Sequence, residues 1–232
     1  PKLPRIGLVK GPSKRTYKIG FTAEGSDSQL ADNLTIRELD RTACLLESMG
    51  HSVKPINMNV DGQFKEDFVL IWAMNAFVCH RFGKQIFGPK YNTSKLTKLT
   101  KGLSDHYFKN ILNTPAAIYR LRKSAYDYKQ KLKALDIDVL LTPTLSHAPP
   151  ELGFLGMNLD FDVMFPRMGN WAYMTPYFSA NGAPSISLPL GYDNQNDLPV
   201  GMLFSANHGQ ERLLFDIAYQ IAEAKPWRKI TE

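Results

Sequence analysis

The sequence predicts an α/β fold, a mixed β-sheet flanked by helices, and three stretches carry that prediction. In residues 17–56 a short strand, Lys18-Ile19-Gly20-Phe21, precedes Ile36, Leu39, Ala43, Leu46 and Met49, whose spacing of three and four puts them on one helical face. Gly50 closes that helix and residues 51–56 give a second strand, a unit that resolves as a right-handed parallel crossover. Residues 138–142 are an almost wholly apolar run, as in a central strand covered on both faces, and Pro143 stops it. Residues 175–205 complete the set with a cap, a short helix, a sharp turn and two strands.

In that last stretch Thr175 suits a cap and Pro176 the first helical turn, where proline's missing N–H and fixed φ cost nothing. The helix reaches only to about Asn181, because Gly182 supplies a left-handed cap and Pro184 cannot continue the hydrogen-bond ladder. Ser185, Ile186, Ser187 and Leu188 alternate hydroxyl with apolar side chain, and residues 200–205 return antiparallel across a polar loop at 192–199. The expected strands are therefore 18–22, 53–56, 138–142, 185–188 and 200–205.

Residues 61–82 form a helix without a polar face over 68–79, and such a helix is expected to be buried on most sides. Asn75 is its polar interruption, read first as a core amide bonded to backbone and second as a substrate contact; His80 and Arg81 mark its emergence into solvent. Residues 84–102 lack periodicity and read as a loop, and Ser104 as the cap of a brief helix through Ile111. Thr114 and Pro115 repeat the cap-and-proline signature, and Ile118, Leu121, Ala125, Tyr128, Leu132 and Leu135 form one apolar stripe behind them. Residues 148–169 read as a long irregular stretch leaving a strand end, the usual place for a ligand crevice in an α/β sheet. Just beyond it, Trp171, Tyr173 and Tyr177 either line a substrate pocket or seal the core. Asn207 and Gln210 form a capping box, and Leu213, Leu214, Ile217, Ala218 and Ile221 bind the last helix to the sheet.

A chain of 232 residues, 44% apolar, is one large domain or two small ones. Residues 1–16, rich in Pro, Gly and Lys without periodicity, read as a linker or surface arm, which leaves 17–232 as the folded portion. The chain opens on Pro1, which fits a fragment or a processed chain, and no signal peptide is recognisable there. The longest apolar run, 68–77, is too short for a bilayer, and Cys44 and Cys79 sit in apolar surroundings as expected of buried, reduced thiols. A cytoplasmic protein with no membrane partner is the expectation. The formal charge of +6 is unevenly placed: residues 81–133 carry +11 and the remainder −5. Arg120, Arg122, Lys123, Lys129, Lys131 and Lys133 lie on the outer face of one helix, so the basic segment reads as solvated surface. Without interleaved aromatics or a glycine-rich phosphate loop, it predicts no nucleic-acid partner.

Asn181-Gly182-Ala183-Pro184-Ser185-Ile186-Ser187-Leu188-Pro189-Leu190-Gly191, followed by Leu198-Pro199-Val200-Gly201-Met202, resembles the C-terminal part of amidase-signature enzymes. Asp138-Val139-Leu140-Leu141-Thr142-Pro143-Thr144 is similar to that family's strand-then-proline segment, and Gln210-Glu211-Arg212-Leu213-Leu214 with Pro226-Trp227 to its closing helix. The likeness is close over roughly the last hundred residues and looser over 17–56. One departure stands before Gly182, where Phe178-Ser179-Ala180-Asn181 replaces an asparagine-containing Phe-Asn-Leu-Thr-like run. The resemblance implies the C-terminal half of an amidase-signature fold. It also implies amide hydrolysis by a serine activated through a second serine and a lysine, the second serine lying in a run of glycines and serines.

No such run occurs in this sequence. Ser185 and Ser187 alternate on a strand beside prolines with no lysine at a family position, and Ser26-Asp27-Ser28 reads as a turn. A serine hydroxyl needs a base and oxyanion donors, so the resemblance implies that an N-terminal catalytic half is the partner that supplies them. The five histidines, His51, His80, His106, His147 and His208, show no paired helical spacing and no cysteine partners, so no metal is expected. Without a dinucleotide fingerprint, a phosphate loop or a Gly-x-Ser-x-Gly elbow, neither a cofactor nor a Ser-His-Asp triad is expected. Asn75, Thr142, Trp171, Tyr173 and Asn181 are the side chains expected to line a pocket for a small-molecule amide, with no catalytic residue in this chain. Self-association through exposed strand edges is a further expectation. The alternative is a non-catalytic binding or assembly module, or part of an amidotransferase subunit. Small amides, aminoacyl amides and cyclic lactam oligomers all stay open as substrates.

Overall fold

The structure is a computed structural model and describes residues 11, 13–25, 31–156 and 158–227. The Ser26-Asp27-Ser28 turn and most of the 1–16 arm lie outside the described residues. The strands are Lys18–Phe21 (β1), Ser52–Pro55 (β2), Val139–Pro143 (β3), Ser185–Asp193 (β4) and Leu198–Ala206 (β5). They form one five-stranded sheet in the order β2-β1-β3-β5-β4. β1 runs parallel to β2 and β3, with Ile19 opposite both Val53 and Val139. β5 is antiparallel to both its neighbours, placing Phe204 opposite Leu141 and Ile186. β3 is central and buried along its whole length, as its apolar run predicts.

Helices Asn33–Ser48 (α1) and Glu211–Ala224 (α7) cover one face of the sheet. There Leu39, Leu46, Ile217 and Ile221 meet Val139 and Leu141. Helices Thr114–Ala134 (α4) and Thr175–Asn181 (α6) cover the other, where Tyr128, Leu132 and Phe178 meet Leu140 and Leu203. Successive β3 side chains thus serve opposite cores, as strand geometry requires. Helices Gly62–Phe87 (α2), Lys98–Asn110 (α3) and Phe161–Ala172 (α5) add a third cluster around Leu70, Ala73, Leu103 and Tyr107. Asp32 starts α1 by accepting from Thr35 N–H at 2.7 Å, and Gly182, at φ 73°, ends α6 by donating to the Phe178 carbonyl at 3.0 Å.

Several sequence expectations are corrected. Residues 84–102 are a loop only over 88–97: α2 continues past His80 to Phe87, and α3 is capped by Thr97, whose Oγ1 accepts from Thr100 N–H at 3.2 Å. Ser104 lies buried inside α3, 3.0 Å from His80 Nδ1, rather than at its start. The contact stripe of α3, Leu99, Leu103 and Tyr107, is one residue wide and hard to see among lysines. Residues 148–169 include most of α5, which keeps Pro166 in its interior. β4 and β5 extend to a four-residue turn at 194–197, shaped by Asp193, which accepts from Gln195 N–H at 2.9 Å and Asn196 Nδ2 at 2.7 Å. α7 has no capping box: Asn207 Oδ1 accepts from His208 N–H at 2.9 Å instead. Cys44 is exposed and Cys79 half-buried, both as free thiols, because each falls off the packed stripe of its helix. α2 is not buried all round either, since its apolar side chains border open grooves as well as core.

Candidate functional site

α2 crosses the molecule between α4, α5 and α6, and the apolar residues on its open side line two adjoining cavities. One, of about 350 Å³, is walled by Phe68 and Trp72 of α2, Phe165 and Met168 of α5, and Tyr173 and Pro176 at the α5–α6 corner. The other, of about 390 Å³, lies beyond Phe68, Trp72 and Ser179, which border both, and reaches Asn75, Ile118 and Arg122. Together they make a groove with two stacked rings in its wall, Trp72 and Phe165, 6.2 Å between centroids. The Arg120 guanidinium, donating to buried Asp67 at 2.6 and 2.7 Å, ties α4 to α2 beside it. Volumes of this order suit small organic ligands, whose pockets are mostly apolar with a few placed polar groups.

Of the five residues expected to line a pocket, Asn75 borders one of these cavities and Tyr173 the other, while Thr142, Trp171 and Asn181 line neither. Asn75 is exposed rather than buried, faces the groove, and donates from Nδ2 to the Ile71 carbonyl at 3.1 Å. Tyr173 borders the first cavity while 2% exposed, its hydroxyl donating to the Ala23 carbonyl in the loop after β1. Half-buried Trp171 donates from Nε1 to the His147 carbonyl at 3.3 Å, pinning the loop that leaves β3. Thr142 is fully buried in β3, and its Oγ1 has no hydrogen-bond partner among the described residues. Asn181 is buried and accepts from Ala183 N–H at 2.8 Å, which shapes the corner from α6 into β4. Phe68, Trp72 and Phe165 escape the sequence reading, because an all-apolar α2 reads as core whether its neighbours fill the space or leave a groove.

Among the described residues, the exposed hydroxyls of β4 are hydrogen-bonded to no base. Ser187 Oγ lies 2.7 Å from Thr144 Oγ1, and Ser185 Oγ bonds Ser205 Oγ at 3.1 Å, where buried Tyr128 also donates at 3.1 Å. Burial raises the Tyr128 phenol well above its usual range, and these hydroxyl partners do not take a proton from serine at neutral pH. Among the described residues no cluster of His, Cys, Asp and Glu suits a metal ion, and no helix is long and apolar enough to cross a membrane.

The α/β architecture, one five-stranded sheet between helices, is an overall fold that solved structures share. The pattern of the Amidase family matches residues 8–215, and the chain belongs to that family. It is 35% identical over 236 residues to a protein named AmiC from Mycobacterium leprae, covering 99% of this chain and 48% of that protein. The chain therefore spans about half the length of the curated relatives it matches over its full extent. It is also 32% identical over 97 residues, 39% of this chain and 19% of the relative, to 6-aminohexanoate-cyclic-dimer hydrolase of Paenarthrobacter ureafaciens. A solved structure of 6-aminohexanoate cyclic dimer hydrolase with substrate superposes with a TM-score of 0.76 at 20% identity, over 94% of this chain and 47% of that one. A bacterial aryl acylamidase of the amidase-signature family superposes at 0.69 and 17% identity, over 92% and 44%. At these identities the structural likeness speaks for the fold.

Proposed function

We propose that this chain is the C-terminal half of an amidase, a hydrolase of carbon–nitrogen bonds in linear or cyclic amides, and that the groove across α2 is one wall of its substrate pocket. The groove is the observation that carries this reading: it is the size of a small ligand, and ringed by Phe68, Trp72, Phe165 and Tyr173. Asn75 and Tyr173 belong to the lining, while Trp171 holds the loop after β3 and Asn181 the corner behind it, and Thr142 lies buried in β3. An apolar groove favours the alkyl or aryl part of an amide over a carboxylate, because a charge stripped of water without a partner is costly. The nucleophile, its base and the oxyanion donors come from an N-terminal half, and this half alone is not catalytic. The two unpaired cysteines are in keeping with a reducing, cytoplasmic setting. A second reading, as part of an amidotransferase, rests on 35% identity over 124 residues, 52% of this chain and 22% of the relative, to one subunit of the glutamyl-tRNA(Gln) amidotransferase of Syntrophus aciditrophicus.

Gly169 offers a direct test. It lines the groove, and a Cβ added there meets nothing within 4 Å, so a larger side chain grows into open space. In the full protein, Gly169→Phe is expected to raise KM for an anilide about tenfold or more while leaving Tm nearly unchanged. An unchanged KM for every amide hydrolysed would place the substrate elsewhere.

A further inference from the structure

A second cluster lies where the chain enters β1 and β2. Asp216 of α7, 5% exposed, accepts from Ser13 N–H at 2.9 Å, Ser13 Oγ at 2.5 Å, Tyr17 OH at 2.5 Å and Gln220 Nε2 at 3.3 Å. Gln220 Nε2 also reaches the Arg15 carbonyl at 3.2 Å. Tyr17 N–H donates to His51 Nδ1 at 3.2 Å, and its ring stacks on the imidazole with centroids 5.8 Å apart. The Tyr17 carbonyl accepts from Ser52 N–H at 3.0 Å. Residues 13–16, the end of the stretch read from sequence as a linker, and Tyr17 after them are thus tied to α7 on one side and to the start of β2 on the other.

The bonding of His51 makes this arrangement sensitive to protons. Because Nδ1 accepts from Tyr17, the neutral ring carries its proton on Nε2, which is buried with no hydrogen-bond partner among the described residues. A second proton has to go on Nδ1, where it meets the Tyr17 N–H head on. We propose that residues 13–17 form a strap that stays closed on the start of β2 only while His51 is neutral, so that acid releases the chain entering β1 there. Among the described residues, the charged groups lining the cleft at this cluster are Asp216 and Arg212 on α7, Arg15 on the strap and Asp138 at the foot of β3, and Lys14 lies beside Arg15 in the strap. Burial holds the His51 pKa below its ordinary value, against the opposing pull of Asp216. The closed form therefore binds fewer protons than the open form. Closure is complete above the ordinary imidazole value, near 6.5, and weakens as pH falls below it. Asp216 sets a second, lower window: burial alone would raise its pKa, but the bonds from Ser13, Tyr17 and Gln220 outweigh burial and hold it low. Its contribution is present above the ordinary carboxyl value, near 4, and is lost as pH falls through the depressed one. The strap rests on these contacts alone and stands whether or not the chain is half of an amidase.

Hydrogen exchange in the full protein tests it. Protection of the Tyr17 and Ser52 amides should fall by up to about tenfold per pH unit below roughly pH 6.5, the limit for one linked proton. In His51→Asn, whose side-chain oxygen can accept from Tyr17 without titrating, protection should stay flat until the carboxyl range. Nuclear magnetic resonance of the unsubstituted protein supplies a check that needs no variant: His51 should be the Nε2–H tautomer with a midpoint below about 6.5. Flat protection in the unsubstituted protein, an equal slope in the variant, or a midpoint above that value would each overturn the proposal.

Discussion

Tyr173 joins two loops that sequence separation keeps far apart. Its backbone sits at φ 55°, ψ −112°, a region few non-glycine residues occupy, and its ring lies against Gly25 in the loop after β1. A Cβ at Gly25 would come within 2.6 Å of that ring, so Gly25→Ala is expected to cost about 1–3 kcal/mol in a urea melt, and no change would show the contact to be loose. With its phenol buried and its ring enclosed, Tyr173→Ala should lose about 3–5 kcal/mol, which puts stability ahead of substrate preference at this position. The sequence shows an aromatic near a crevice. It does not show the strained backbone, because nothing local marks a tyrosine for positive φ. Thr142 is similar: its place in an apolar strand announces burial, while its unpartnered hydroxyl emerges only from the packing of β1, β3 and β5 around it.

At the scale of elements, legibility follows the width of the apolar stripe. α1, α4 and α7 pack along stripes broad enough to read, and α4 places Tyr128 and Leu132 in the core as its spacing predicts. Leu121 shares that stripe but is half-buried at the groove, so Leu132→Ala should cost about 2–5 kcal/mol and Leu121→Ala clearly less. Equal losses in chemical denaturation would mean the groove is closed in solution. α3 is legible only in its second half, from about Ser104, and α5 not at all: lysines obscure the narrow contact face of α3, and Pro166 reads as a breaker although α5 accommodates it. The candidate groove is lined by α2, α4, α5 and α6 together, and for that reason only Asn75 and Tyr173 of its lining are in view from sequence as pocket residues.

The whole molecule is a five-stranded sheet with β4 at one edge, its Ser185 and Ser187 exposed, and an α2–α3 arm on which Phe82, Phe87, Phe108 and Leu112 are 48%, 59%, 61% and 91% exposed. Unpaired strand edges and apolar patches attract partners, so the chain by itself should self-associate, seen as a mass that grows with concentration in light scattering. A strict monomer at high concentration would contradict that. In the proposed function this half supplies sheet and pocket wall and an N-terminal half the nucleophile. Hydrolysis of a simple anilide, measured with residues 1–232 alone and with the same residues joined to an upstream amidase half, tests this most directly. The prediction is no turnover from the first and measurable turnover from the second, since loss of nucleophile, base and oxyanion donors together removes several orders of magnitude in rate. Turnover by residues 1–232 alone that disappears in Ser185→Ala or Ser187→Ala would contradict it and place the nucleophile on β4.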